Sequence, residues 1–271
     1  MSGGIDMSFV IRLLFVLIFL MINTGFADED EGLSIGEQFQ YQTSFGDGGF
    51  KGKDIGYGDE MPLYKKYENV PVVYLPQPDT NIMSVEKAVE SRRSVRSFTE
   101  EPLTLKQIAR ILLSADGITH TQGNYEMRTA PSGGALYPVD IYLVVFEVND
   151  LKPGLYHFQV SDNSLELIKE GDFREQLYAA SHEQDVVHQG RASIIMTARF
   201  DRSTRKYADR GYRYTYMETG AICQNVYLQA TSLGLGTTAV GSFNDDAVNR
   251  MLEIDGKEEA ALLIMPIGHP R

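Results

Sequence analysis

Arginine and serine residues cluster at positions 91–98 of this 271-residue chain. Arg92, Arg93, Ser94 and Arg96 combine three guanidinium groups with a hydroxyl directly after a predicted helix. Planar guanidiniums donate paired hydrogen bonds to phosphate oxygens, and hydroxyls add further donors. The cluster therefore indicates a phosphate-binding segment. A solvated basic turn is the alternative for so short a run.

A glycine-rich turn follows within residues 130–138. Pro131, Ser132, Gly133 and Gly134 come before a second proline. Glycine lacks a Cβ and adopts positive φ freely, so backbone amides here could approach a flat ring closely. Combined with the phosphate-binding segment, the turn favours a phosphorylated, planar cofactor. A purely structural tight turn explains the same residues equally well.

A third candidate is Lys206-Tyr207, which lies in a basic stretch of the chain. A lysine could remove a proton from a substrate if burial and the neighbouring Arg205 and Arg210 favour its neutral form. Two alternatives stay open for the same stretch. It could be a solvated basic surface, or it could bind an anionic substrate or a nicotinamide phosphate.

Two segments near the C-terminus add smaller signals. Val240 and Gly241 lie where backbone could reach the edge of a ring, although a glycine within a strand is the plainer explanation. Arg271 follows a Gly-His-Pro sequence. On the residues alone, Arg271 could belong to a disordered chain end.

Taken in order, these motifs resemble the flavin-binding motifs of the nitroreductase family, specifically its SagB-type dehydrogenase branch. Several motifs in a fixed order are much more specific than one. The resemblance covers about residues 62–271 and is carried by residues 91–98, 130–138, 206–214, 218–225, 233–243 and 266–268.

The resemblance implies an α+β, nitroreductase-like (FMN-dependent) fold with a central, mostly antiparallel sheet flanked by helices. It implies FMN as cofactor, with the arginine–serine segment and Arg271 on the phosphate and Arg96 nearer the pyrimidine end of the ring. In dimeric members the loop at 130–138 reaches the flavin of the other subunit, which implies a homodimer. Nitroreductases at large commonly carry Asn where Ala135 stands, whereas the SagB-type branch tolerates small residues there.

Two oxidoreductase roles follow from this resemblance. One is reduction of an acceptor with NAD(P)H as donor. The other is dehydrogenation of a small-molecule or peptide substrate, as in azoline oxidases, where a Lys-Tyr pair matching Lys206-Tyr207 is associated with proton removal. The alternative from another class is a non-enzymatic exported protein that binds flavin or another planar ligand with the same fold.

Composition argues against several partners. The net charge is −12, so nucleic acid and anionic membrane surfaces are poor partners. The five histidines show no metal-ligand spacing. Cys223 is the single cysteine and falls in a predicted helix among apolar neighbours, which is typical of a small buried side chain.

The first 27 residues read as a secretory signal peptide. Arg12 precedes an apolar run at 13–22, and Gly25 and Ala27 are small residues at the expected cleavage site. We therefore expect an exported protein, periplasmic or secreted, with an uncleaved membrane anchor as the alternative. Residues 28–80 read as an acidic Gly/Pro-rich linker and extended arm, and residues 81–271 as the flavin-binding domain.

Periodicity and capping residues place the elements of that domain. Thr104 and Gln107 form a capping box, Ser84 is a further helix cap, and either Asn244 or Asp245 caps the last helix. The predicted helices begin at Ser84, Thr104, Tyr212 and Asp245, and the predicted strands span 141–148, 155–160, 165–168, 193–200 and 260–267.

Overall fold

The computed structural model describes residues 34–47, 49–52, 62–77, 83–123 and 125–271. The signal peptide expected at 1–27 therefore lies outside the described residues. The chain divides into two compact units, Met1–Gly52 and Lys53–Arg271. The described part of the first unit holds helix α1 (Ile35–Gln42) and a hairpin of β1 (Phe45–Gly46) and β2 (Gly49–Phe50). We did not expect this helix, which begins with a capping box between Ser34 and Glu37.

The second unit contains the remaining elements. In chain order these are β3 (Val72–Tyr74), α2 (Val85–Ser91), β4 (Leu103–Thr104), α3 (Leu105–Asp116), β5 (Ile118–Gln122), β6 (Tyr125–Arg128), a 3₁₀ turn (Gly133–Ala135), β7 (Val139–Val145), β8 (Val148–Asn149), β9 (Gly154–Gln159), β10 (Ser164–Glu170), α4 (Arg174–Ala180), α5 (Asp185–Gln189), β11 (Ala192–Arg199), α6 (Phe200–Tyr207), α7 (Arg210–Ser232), β12 (Gly236–Thr237), α8 (Asp245–Leu252) and β13 (Glu259–Gly268).

Seven of these strands form one sheet in the order β12-β13-β11-β7-β9-β10-β3. Each pair of neighbours in it is antiparallel. The α+β class with a mostly antiparallel sheet is thereby confirmed. The short pair of β4 and β8 is parallel.

Alternation along β7 shows how the sheet is buried on both faces. Ile141, Leu143 and Val145 contribute to one core cluster, together with residues of α3 and α7. Tyr142 and Val144 point to the opposite face, into a cluster with residues of α4, α5 and α8. Successive strand residues face opposite sides, so one strand serves both cores. Helices therefore flank the sheet on both faces.

The arm expected at 62–78 belongs to this second unit and is partly built into its sheet. β3 pairs with β10 as the edge strand, and Leu75 is buried in the core. Lys65 Nζ lies 2.5 Å from Glu259 Oε2 on β13, so the arm is also held by a partly buried ion pair. The compact unit therefore starts before residue 81. We did not predict β3, because a strand of only three residues among scattered tyrosines and prolines has no clear periodicity.

The predicted helix starts are largely confirmed. The side chains of Ser84 and Asn244 cap α2 and α8, and the Thr104–Gln107 capping box opens α3. The long predicted helix begins at Arg210 rather than Tyr212. We did not predict the β5–β6 hairpin, α4, α5 or α6 from the sequence. None of the helices in the described residues is both long and apolar enough to span a membrane.

Candidate functional site

The arginine–serine segment lies beside the chain at 237–241. After α2 ends, Val95 N donates to Thr237 O at 3.0 Å, and Ser94 pairs with Thr237 as a parallel bridge. Gly236 permits this approach, since an added Cβ there would lie 2.6 Å from the Val95 side chain. Two of the predicted cofactor-binding segments are thus neighbours.

The C-terminal residues join the same place. Arg271 N donates to Ser97 O at 3.1 Å, and Pro270 pairs with Phe98 as an antiparallel bridge. This pairing brings Arg271 alongside the segment that carries Arg96. Both arginines are exposed. The structure therefore places the predicted C-terminal phosphate ligand next to the predicted phosphate-binding segment.

The two adjacent arginines of that segment differ in their surroundings. The Arg92 guanidinium is half-buried, and its Cζ lies 5.1 Å from the centre of the Tyr227 ring. Arg93 is exposed, and its Nη1 donates to Glu90 O at 2.9 Å and to Arg92 O at 2.8 Å. Nη1 of Arg93 is therefore already hydrogen-bonded to two carbonyls at the end of α2.

The loop at 239–241 is exposed on either side of Val240. Val240 itself is buried and exchanges hydrogen bonds with Ile264, at 2.8 Å and 3.0 Å. The Val240 amide therefore pairs with a neighbouring strand, whereas we expected the backbone here to reach the edge of a ring. Ala239 and Gly241 flank it and are exposed, and a Cβ added at Gly241 would meet nothing within 4 Å.

A second cluster forms around the glycine-rich turn. Gly134 has φ of +70°, and a Cβ added there would lie 2.6 Å from Tyr207 Oη and 2.8 Å from Lys206 Nζ. Gly133 packs against the Tyr214 ring, at 3.6 Å from an added Cβ. The glycine-rich turn was predicted to approach the ring of the cofactor. It lies against Lys206 and Tyr207, the pair predicted to be catalytic. Pro131 is exposed at the start of the turn.

The side chains of this second cluster combine aromatic rings with cations. Tyr207 and Tyr214 pack edge to face with their ring centres 4.8 Å apart. Arg210 Nε donates to Tyr214 Oη at 3.0 Å. Lys206 is exposed, with Nζ 5.5 Å from the Tyr207 ring centre. We expected Lys206 to act as a base only if it is buried. In the single chain Lys206 is exposed, so this condition is not met.

The two clusters lie at opposite ends of α7. Tyr214, near its start, belongs to the glycine-turn cluster, and Tyr227, near its end, contacts the arginine–serine segment. At about 1.5 Å per residue, the two tyrosines are about 20 Å apart along the helix axis. The predicted site residues of one chain are therefore gathered into two separate groups.

Buried charged side chains contact the end of the glycine-rich turn. Tyr137 ends the turn and accepts a hydrogen bond at its carbonyl from Arg202 Nη1, at 2.8 Å. The Arg128 guanidinium lies 4.3 Å from the Tyr137 ring centre and pairs with Asp116. Arg202 also lies 3.4 Å from Asp140. We predicted none of these contacts from the sequence, because Asp116, Arg128, Asp140 and Arg202 lie on four separate elements.

Glu218 is a buried carboxyl next to the turn. It is 3% exposed, and its Oε1 has no hydrogen-bond partner within the described residues. Burial raises the pKa of Glu218 to about 8, although the nearby Ser132 side chain and Val139 backbone oppose the shift. Burial likewise raises the pKa of Asp116 to about 7 despite the Arg128 guanidinium. The sequence does not point to Glu218, because a glutamate within a helical motif gives no signal of its burial.

The first cluster has the donors that the phosphate end of FMN requires. Ser94 and Arg92 lie together at Tyr227, the exposed Arg96 and Arg271 lie on neighbouring segments, and the exposed Gly241 lies in the adjoining loop. Guanidiniums and a hydroxyl from two neighbouring chain segments suit a phosphate dianion. These residues therefore fit FMN. The described residues hold no group of three or more His, Cys, Asp or Glu side chains that could bind a metal ion.

Comparison with known proteins identifies the family. The model of the Nitroreductase family matches residues 89–269, so the chain belongs to the nitroreductase family, whose members are oxidoreductases. A Methanocaldococcus jannaschii protein named as a nitroreductase is 39% identical over 191 residues, which cover 70% of this chain and 93% of that one. The expected family is thereby confirmed.

Two further likenesses bear on the branch and the fold. The microcin B17-processing protein McbC of Escherichia coli is 26% identical over 214 residues, covering 75% of this chain and 78% of that one. This match agrees with the SagB-type branch. A crystal structure of an Anabaena variabilis protein named as a nitroreductase has a TM-score of 0.71 at 28% identity, over 86% of this chain and 46% of that one. The chain therefore spans less than half of that longer protein.

Proposed function

We propose that this protein is an FMN-dependent dehydrogenase of the SagB type that acts as a homodimer. One observation carries the proposal. Ser94 and Tyr227, which are 133 positions apart in the chain, meet at a point where Arg92 and the 239–241 loop also converge, and the C-terminal segment pairs with the nearby residues Ser97 and Phe98. This arrangement supports the proposal, because a phosphate-binding site would be built from the segments that the family resemblance assigned to the flavin.

The residues of the first cluster would hold the cofactor. Arg92, Ser94 and Arg271 would bind its phosphate, and Arg96 would face the pyrimidine end of its ring. Bound FMN would supply hydride transfer between a donor and an acceptor. A guanidinium at the Arg96 position favours added negative charge nearby, which suits a site that accepts electrons.

The second cluster would handle the substrate proton. Lys206 Nζ and Tyr207 Oη border the backbone of Gly134, so both polar groups face the same small space. Lys206 could accept a proton there, with Tyr207 positioned by its packing against Tyr214. A second subunit lying over this cluster would bury Lys206, which is the condition for a neutral lysine base.

A homodimer resolves the distance between the two clusters. About 20 Å of α7 separates them in one chain, so the glycine-turn cluster of one subunit would have to meet the phosphate-binding cluster of the other. The complete site would then be shared between two chains. The same contact would exclude water from the space above the Gly133-Gly134 backbone.

The substrate class that we propose is a small molecule or a peptide that is dehydrogenated. The likeness to a microcin B17-processing protein favours this role over reduction of an acceptor with NAD(P)H. We also propose export of the protein through its N-terminal segment. N-terminal sequencing of the protein from the periplasm or the medium would test that proposal, and a protein that starts at Met1 or Met7 in the cytosol would contradict it.

An absorbance spectrum of the purified protein tests the central proposal. We expect flavin absorbance, and release of FMN upon heating, identified by its mass. A colourless protein that also fails to take up added FMN overturns the proposal. A protein that holds FMN but oxidises and reduces no donor or acceptor would favour the non-enzymatic binding protein.

A further inference from the structure

The Tyr227 hydroxyl joins two segments of the phosphate-binding cluster. Ala239 N donates to Tyr227 Oη at 2.8 Å, and the same oxygen lies 3.1 Å from Ser94 Oγ. Tyr227 itself is 7% exposed and sits on α7. One buried phenol therefore fixes both a side chain of the arginine–serine segment and the backbone of the opposite loop.

The available protons allow an arrangement that leaves the Ser94 proton for an anion. A backbone amide can only donate, so the Tyr227 oxygen accepts from Ala239. Either hydroxyl of the Tyr227–Ser94 pair could donate to the other. When Tyr227 donates its single proton, Ser94 keeps its own proton to donate outward. The hydrogen bonds then run from Ala239 N–H through Tyr227 O–H to Ser94 O–H.

Such a chain suits an anion at its end. Hydrogen bonds in sequence polarise one another, so a donor that itself accepts a bond donates more strongly. The Arg92 guanidinium lies over the face of the same tyrosine ring, with Cζ 5.1 Å from its centre. Tyr227 therefore supports both a neutral donor and a cation of the segment. A phosphate is the ligand chemistry that both groups would bind.

We infer that Tyr227 is a positioning residue that directs the Ser94 proton and the Arg92 guanidinium toward the phosphate of FMN, an inference that rests on the proposed function. Tyr227 would not touch the phosphate. It would act by holding two ligands in the binding orientation before the cofactor arrives. Preorganised donors bind more tightly because less rotational freedom is lost upon binding.

Comparing FMN with riboflavin tests the inference, because riboflavin has the same ring without the phosphate. We expect Tyr227→Phe to weaken FMN binding roughly 5- to 20-fold, a partial loss of the hydrogen bond that Ser94 makes to the charged phosphate. Riboflavin affinity should stay unchanged. Ser94→Ala should weaken FMN binding to a similar degree. The double variant should be no weaker than the weaker single variant, because both changes break one chain.

Tyr156→Phe is the matched control. It removes another tyrosine hydroxyl, which donates to Lys152 O at 2.8 Å in a part of the sheet away from the cluster. We expect it to leave both affinities at their wild-type values. Circular dichroism and thermal unfolding would show that each variant is folded.

The outcomes separate the inference from the proposed function. A wild-type protein that binds neither flavin overturns the proposed function and this inference with it. A wild-type protein that prefers FMN, with the same preference in Tyr227→Phe, overturns the role of Tyr227 alone. Equal weakening of FMN and riboflavin in Tyr227→Phe would also overturn it, because the effect would then not pass through the phosphate.

Discussion

The backbone of Gly134 lies directly against the Tyr207 hydroxyl. A Cβ at position 134 would come within 2.6 Å of Tyr207 Oη and within 2.8 Å of Lys206 Nζ. Both of these atoms are the free ends of flexible side chains, so they could move aside without disturbing the core. The contact therefore matters more for the position of these two groups than for the stability of the fold.

Substituting Gly134 should separate activity from stability. Gly134→Ala places an L-residue at φ of +70°, which costs about 1 kcal/mol of folding free energy. It also displaces Tyr207 and Lys206, so turnover should fall at least roughly tenfold. Gly123→Ala is the control, since Gly123 has φ of +62° and open space around an added Cβ. Equal turnover in the two variants would contradict a catalytic role for this contact.

Mixing two inactive variants tests whether the site is shared between subunits. Arg92→Ala lacks the phosphate-binding cluster and Lys206→Ala lacks the proton-handling cluster. After unfolding and refolding them together in equal amounts, we expect about a quarter of wild-type activity, because half the dimers are mixed and each has one intact site. The pair Lys206→Ala and Tyr207→Phe alters one cluster only, so its mixture should show no gain. Recovery in that control would rule out a shared site.

Arg92 and Arg93 should differ in their effect on FMN affinity. Arg92→Ala removes the guanidinium that lies over Tyr227, so we expect about 10- to 100-fold weaker binding. Arg93→Ala should have a smaller effect, because Arg93 already donates to two carbonyls at the end of α2. Fluorescence titration with FMN measures both. A larger loss in Arg93→Ala would show that this side chain leaves the helix to bind the phosphate.

Glu218 should make the protein less stable as the pH rises. Burial raises its pKa from 4.5 to about 8, so the folded chain retains a proton that the unfolded chain releases. The resulting stability is complete below pH 4.5 and is lost as pH increases through 8. Glu218→Gln cannot ionise, so its free energy of unfolding should fall less between pH 5 and pH 9, by a few kcal/mol. Urea unfolding at several pH values measures this slope.

The exposed Glu90 provides the control for that slope. Glu90→Gln removes a carboxyl of the same size at a surface position of α2. Its slope should match that of the wild-type protein. Asp116 titrates in the same direction, with a pKa raised by burial to about 7. Some slope should therefore persist in Glu218→Gln, and an unchanged slope would contradict the buried, protonated state of Glu218.

Cys223 should react slowly with thiol reagents. Burial raises its pKa to about 11, with the Arg92 charge opposing the shift. At pH 8 only about one thiol in a thousand would be ionised, compared with about a quarter for a free cysteine. Labelling should accelerate strongly in denaturant. Fast labelling of the folded protein would contradict the expectation that Cys223 is an unreactive packing residue.

Local signals were enough to predict much of the fold. The capping box of Thr104 and Gln107, the β-branched run of β7 and the hairpin turn at 161–164 each depend on residues close together in sequence. Strand β3 was missed because three residues carry too little periodicity. Helix α6 was read as a basic stretch, since its one buried side depends on Phe200, Arg202 and Ser203 rather than on an apolar pattern.

In the candidate site, too, only the residues with a local sequence signal could be predicted. The segments around Ser94, Gly134 and Lys206 could be picked out because their residue types suggest chemistry. Tyr227 and Glu218 could not, since their roles depend on partners that fold in from other elements. The helical sequence around Tyr227 does not show that its hydroxyl lies near Ser94. The same holds for the carboxyl of Glu218, which lies near Ser132. The buried Arg202 shows the same limit, because charged residues are expected at the surface.

The position of β13 in the sheet has a consequence for biosynthesis. It lies between β12 and β11, although it is the last strand in the sequence. A chain made from its N-terminus can pair β11, β7 and β9 while the outer edge of β11 is still open. Lys65 is made early and its partner Glu259 comes 194 positions later. Open strand edges recruit other chains, so the nascent protein is most prone to aggregate just before residues 259–268 are complete.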